Sequence, residues 1–270
     1  MIAVTDTSAY TPGMISDDES QKAETTAPEP AEAAAECSRC QKPLSLCVCD
    51  GVEPIDNKVM LVILQHPQEQ DRLLGTARLA ALHFKNSLLK IGLSWASLNK
   101  IVGKEVDPQR WAILYLGSVK AAEIAPERDI VAVDRKGLPE AHQGQALRDI
   151  EGVVLLDGTW SQAKALWWRN AWMLKCQRVV LGPKQPSRYG KLRKEPRSDG
   201  LSTIEAAAML ISRLEKRPEI ETALDASFEN MLSKYRESGL APKPQKIDWR
   251  HKRGRPFGKS RKREGKPSRA

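Results

Sequence analysis

Short, mostly apolar runs recur along the chain, separated by stretches in which apolar positions return every three or four residues. The runs at 59–64, 112–116, 130–133, 153–156 and 178–181 are rich in Val, Ile and Leu. Runs of that length and composition read as strands buried on both faces. The longer patterns at 72–90, 161–174, 204–216 and 220–237 carry helical spacing, the mark of amphipathic helices. Continuous apolar strands alternating with helices predict an α/β fold, a mostly parallel sheet with helices on both faces.

The pattern fades at both ends. Residues 1–36 are rich in Ala, Thr, Pro and acid, and residues 242–270 in Pro, Gly, Lys and Arg. Neither segment has periodic apolar positions, so both are expected to be disordered. Residues 37–50 form a small cysteine-bearing element and 51–241 the main domain. Charge is unevenly placed across these segments. Residues 250–270 hold ten Lys or Arg against the single acid Glu264, which equals the whole formal excess of +9. A tail of this kind suits phosphate binding through counterion release without sequence reading; it equally suits a solubilising appendage. No run approaches eighteen apolar residues, and no basic-then-apolar leader opens the chain. No membrane span is expected, and the cytoplasm is the expected compartment. Nothing in the sequence calls for an obligatory protein partner.

Four of the five cysteines fall in the pattern Cys37-x2-Cys40-x6-Cys47-x-Cys49. Two close pairs of thiolates can converge on one tetrahedral ion, and Zn²⁺ prefers this soft set. Four protein ligands leave no open position, so the site is expected to be structural. An iron–sulfur centre is the alternative. Cys176 stands apart and reads as a small buried hydrophobe.

Two strand-to-helix junctions carry polar residues. Val153-Val154-Leu155-Leu156 runs into Asp157-Gly158-Thr159-Trp160, and Thr159-x-x-Gln162 has the form of a capping box. Asp157 then sits at the carboxyl end of a parallel strand, where open α/β sheets bind ligands. An ordinary βα turn fits the same pattern. The second junction is Leu201-Ser202-Thr203-Ile204-Glu205-Ala206, with Ser202 and Glu205 forming another box. Its helix is expected to bury one face and to offer unpaired N–H groups to an anion. Arg188-Tyr189-x-Lys191-x-Arg193-Lys194 with Arg197 is a basic run with one aromatic, a candidate for phosphates and for stacking on an extruded base. A solvated loop reads the same way.

Together these blocks resemble the DTW-domain family. The four cysteines resemble its N-terminal zinc motif, and His66-Pro67-x-Glu69 with Arg72, Thr76 and Arg78-Leu79-Ala80 resembles its first block. Tyr115-Leu116-Gly117 resembles a strand-to-loop block, Leu155-Leu156-Asp157-Gly158-Thr159-Trp160 the motif that names the family, and Leu201–Ala206 the last block. Gly75 and Leu116 depart from the family pattern, which has Asn and Pro there.

The resemblance implies a SPOUT-like fold with a C-terminal trefoil knot. It implies an S-adenosylmethionine-dependent tRNA-uridine aminocarboxypropyltransferase, which alkylates N3 of a variable-loop uridine (position 47) and releases methylthioadenosine. By that analogy Asp157, Thr159 and Trp160 form the catalytic motif. Asp157 is then the base or the residue that holds the uracil edge, while Thr159 and Trp160 support the turn and pocket wall. Loops at Leu116-Gly117, Leu181-Gly182-Pro183 and Leu201-Ser202-Thr203 become the donor-binding loops, and Arg188, Tyr189, Lys191, Arg193 and Arg197 the RNA-binding residues. His66 and Glu69 are candidates for substrate contact or for loop-stabilising hydrogen bonds. Two other functions fit the residues: a methyltransferase on the same fold, or a zinc-stabilised RNA-binding module without catalysis.

Overall fold

In the computed structural model, the strand β1 (Met60–Gln65) lies between β2 (Ser87–Ile91) and β5 (Gly152–Asp157), parallel to both. The structure describes residues 35–114, 123, 125–190, 192 and 200–240. Beyond β5 the sheet continues with β3 (Trp111–Leu114) and β6 (Gln177–Leu181), both parallel, and ends on β4 (Ile130–Val133), which runs antiparallel to β6. The order is β2-β1-β5-β3-β6-β4, a mostly parallel six-stranded sheet. The expected disordered termini lie outside the described residues, apart from Ala35 and Glu36.

Alternation along the strands creates two cores, one on each face. Leu61, Ile63, Val153, Leu155 and Val179 face α1 (Ala77–Leu82), α5 (Thr203–Glu215) and α6 (Pro218–Glu237). Val62, Leu64, Ile113 and Val154 face α2 (Leu98–Val102) and the short 3₁₀ turn Ala171–Lys175. The remaining helices are α3 (Gln143–Arg148) and α4 (Trp160–Arg169). Burial on both faces leaves no polar alternation in the central strands, which is why they read as continuous apolar runs.

Two predicted helices are corrected. The pattern at 72–90 holds one short helix, α1, and the edge strand β2. Ser87 Oγ donates to the carbonyls of Ala81 and Phe84, and Asn57 grips Asn86 through its N–H and C=O. These bonds stop the helix and turn Leu88 and Leu89 into strand residues against β1. The pattern at 161–174 breaks at Asn170, which is 1% exposed. Its amide donates to the carbonyls of Leu93 and Leu166 and accepts from Trp95 N and Trp172 Nε1. Helix α5 was expected to bury one face; instead it is buried from Ile204 to Ser212 without a break. It lies between α1 and α6, so both sides are covered. Among the described residues no helix is long and apolar enough to cross a membrane.

Candidate active site

The carboxyl ends of β1 and β5 are in register, with Gln65 opposite Asp157. Two polar residues thus close two otherwise apolar strands. Gln65, 4% exposed, donates from Nε2 to Asp157 Oδ2 at 2.9 Å. The Thr203 hydroxyl, at the start of α5, donates to Asp157 Oδ1. His66 N–H donates to the Asp157 carbonyl at 2.9 Å. The Asp157 side chain is therefore fixed from two sides, with its orientation set before any ligand arrives. Thr159 caps α4 and forms the full box with Gln162, whose amide also donates to Gln68. Gly158 is required there: a Cβ would lie 2.9 Å from Gln162 Cβ. Thr159 is exposed and Trp160 half-buried.

The first and last sequence blocks meet at the same place. Thr76, 2% exposed, accepts from Ile204 N–H at 3.3 Å. Ser202 and Glu205 form their capping box as predicted, but Glu205 does more. Its Oε2 accepts from Ser202 N, Ser202 Oγ and Ser187 Oγ, and its Oε1 from Arg188 N at 2.7 Å. The loop after β6 is pinned to α5 in this way. The N–H groups of Ser202, Ile204 and Glu205 are thereby satisfied within the protein. An anion-binding helix end needs free donors, and these three of the N–H groups expected at this end are taken by the protein itself.

The basic run is also placed differently from expectation. Tyr189 is 1% exposed, its ring edge-on to Phe228 and its hydroxyl donating to Leu74 O at 2.5 Å. Its face packs in the core and is not offered to a base. Arg188 pairs with Asp225 at 2.5 Å and lies 3.5 Å from Glu229, both on α6. Leu181, Gly182 and Pro183 follow β6, and Pro183 lines a cleft of about 300 Å³ with Arg213 and Glu205. Leu116, Gly117, Lys191, Arg193 and Arg197 lie outside the described residues.

The cysteine element is assembled. The four sulfurs of Cys37, Cys40, Cys47 and Cys49 all lie within 4.8 Å of one another, and the group could hold a metal ion. Sulfurs 2.3 Å from a tetrahedral ion sit about 3.8 Å apart, so the set fits. Backbone N–H groups of Cys40 and Arg39, with the Cys47 side chain, hold the Cys37 thiol down at about 6. Burial pushes the Cys40 and Cys49 thiols up in the same cluster. Cys176 is buried with its thiol pushed up to about 12, as an inert core cysteine should be. Lys234 on α6 donates to Cys47 O, and Arg39 donates to Cys49 O at 2.8 Å.

Several site residues carried no signal in the sequence. Lys42, 6% exposed, extends from the cysteine element and donates to Leu73 O at 2.6 Å. Burial lowers its ammonium to about 8, and Arg78 lowers it further while Cys40 and Asp157 oppose the shift. Lys42 thus joins the cysteine element to the loop below Asp157. Gln65 had a faint signal, a polar residue ending an apolar run. His66 accepts from Gln68 N–H at 3.2 Å and caps the turn Pro67–Glu69.

Fold and site together define an α/β protein with a four-cysteine element and a carboxylate clamped at the strand ends. The chain belongs to the DTW domain family, whose model matches residues 34–236. It is similar to tRNA-uridine aminocarboxypropyltransferase 2 of Macaca fascicularis, 30% identical over 215 residues, with 76% of this chain and 65% of that protein covered. The enzyme of the same name from Mus musculus is 30% identical over 209 residues, with the same coverage. That from Drosophila melanogaster is 30% identical over 208 residues, with 73% of each chain covered. The chain thus spans slightly less than two thirds of the length of the two mammalian relatives. No solved structure matches.

Proposed function

We propose that this protein transfers the 3-amino-3-carboxypropyl group of S-adenosylmethionine to N3 of a tRNA uridine, at position 47 of the variable loop. The observation that carries the reading is the convergence of separate segments on Asp157 of the motif block: Gln65, the residue just before the first block, and Thr203 of the last. Membership of the family and the printed names of the relatives support it.

The reaction forms a bond from uridine N3 to the methylene carbon on sulfur. That carbon–sulfur bond breaks, its electron pair stays on sulfur, and methylthioadenosine leaves. The N3 proton must depart. Asp157, held by two donors, is an oriented acceptor for the uracil edge or for that proton. Orientation is the main requirement, because all three carbons on a sulfonium are activated and position selects among them. Trp160 walls the pocket and Thr159 holds the turn. The loops at 116–117, 181–183 and 201–203 hold the donor, in the knotted arrangement of SPOUT-like enzymes.

Zn²⁺ fits the four cysteines, where it would order an element that has little core of its own. The tail at 250–270 and Arg193, Arg197 and Lys191 supply phosphate contacts. Arg188 adds to them only if its pairs with α6 open. The cytoplasm is the expected site of action.

The test is to mix purified protein, tRNA and S-adenosylmethionine and to identify both products by mass spectrometry. Aminocarboxypropyluridine with methylthioadenosine is expected. Methyluridine with S-adenosylhomocysteine would instead establish a methyltransferase, and no product at all would favour the binding module.

A further inference from the structure

Beside Gln65 lies a second, smaller cavity of about 120 Å³, lined in part by Lys42, Gln65, Glu69, Arg72, Gly75 and Arg78. It is well below the roughly 300–1,000 Å³ of a site for a whole drug-sized ligand, so it suits one end of a molecule. Gln65 lines this cavity and also bonds Asp157 in the clamp.

The cavity contains an unsatisfied group. Glu69 is 5% exposed, and its Oε1 is buried without a hydrogen-bond donor. The nearest cation, Arg72 Nε, stands 3.7 Å away on a side chain that is 60% exposed. A buried carboxylate oxygen left unpaired is costly and calls for a partner. On the same wall, the half-buried Arg78 makes no hydrogen bond or ion pair among the described residues. Its charge adds to that of Lys42 close by, and no carboxylate of the described residues pairs with it. One free acceptor and one free cation at the walls of a small cavity match a zwitterion, with an ammonium for Glu69 and a carboxylate for Arg78.

We infer that this cavity holds the α-amino and α-carboxylate groups of the S-adenosylmethionine donor, with Glu69 taking the ammonium and Arg78 the carboxylate. The inference rests on the function proposed above. It is consistent with the N–H groups of Ser202, Ile204 and Glu205 at the start of α5 being taken within the protein. Anchoring the amino-acid end beside Gln65 fixes which carbon on sulfur faces Asp157.

Calorimetric titration of the full chain with S-adenosylmethionine and with methylthioadenosine, which lacks the amino-acid end, separates the contributions. Glu69→Gln and Arg78→Met should each weaken S-adenosylmethionine binding by about 10–100-fold, the loss of one charge-assisted hydrogen-bonded contact. Methylthioadenosine binding should stay unchanged, and Arg78→Lys should recover part of the loss. Should a variant fail to fold, the unaltered protein serves, with decarboxylated S-adenosylmethionine as the probe and weaker binding than the intact donor expected. Parallel loss of both ligands, no loss of either, equal affinity for the decarboxylated donor, or weakened tRNA binding alone would overturn the inference. Failure of the parent reading shows separately, as the wrong product from the unaltered enzyme.

Discussion

The two capping boxes of this protein share one local design and differ in nearly everything else. Thr159 with Gln162 starts α4, and Ser202 with Glu205 starts α5; both boxes have their two reciprocal bonds. Thr159 is exposed, so water can replace what its hydroxyl provides. Ser202 and Glu205 are 4% and 9% exposed, and Glu205 gathers four donors from two segments of chain. The first box shapes a turn at the surface, beside a glycine that leaves room for it. The second ties the loop after β6 to a helix buried all round. The same pattern is thus a helix start in one place and a structural junction in the other, and burial makes the difference.

The largest effect expected belongs to the carboxylate between the boxes. Asp157→Ala should lower aminocarboxypropyl transfer by about 10²–10⁴-fold, the range for a positioned proton-transfer group, while the thermal midpoint falls by less than for Glu205→Ala because fewer donors are stranded. A large loss of midpoint would make Asp157 a structural tie like Glu205 and erase the contrast with the second box. Next comes Glu205→Ala, which strands donors on the buried Ser202 and the half-buried Ser187 and Arg188. At about 1–3 kcal/mol for an unsatisfied buried group, about 3 kcal/mol is expected from denaturant unfolding. Gly158→Ala should follow at about 1–2 kcal/mol, because its new methyl displaces Gln162 from the exposed box. Thr159→Ala should cost least, about 1 kcal/mol or below. If Thr159→Ala costs as much as Glu205→Ala, burial is not what separates the boxes. A double-mutant cycle of Asp157→Asn with Thr203→Val would sharpen the point by measuring how strongly the two motifs are coupled.

Legibility followed the range of the interactions involved. The central strands were readable because both their faces are buried, so each residue had to be apolar. The capping boxes were readable because they close within four residues. The four cysteines were readable because their ligand chemistry is set by type and spacing. The helix expected at 72–90 failed at Ser87 and Asn86, where bonds to Phe84, Ala81 and Asn57 override a helical pattern. Tyr189 and Arg188 looked like a nucleic-acid surface, since an aromatic among cations has the same composition whether it faces water or Phe228. Lys42 was invisible because its partners, the carbonyls of Leu73 and Arg72, are about thirty residues away.

By itself, the sequence determined the α/β class, the cysteine set, both helix starts and Asp157 at a strand end. Each of these follows from local spacing or from the burial that a run of side chains demands. Tertiary structure alone decided what surrounds Asp157. Parallel register set Gln65 opposite it, and the packing of α5 under the sheet brought Thr203 to its other oxygen. Those contacts join residues 46 to 92 positions apart, and no local pattern constrains which distant polar side chain a strand end will meet.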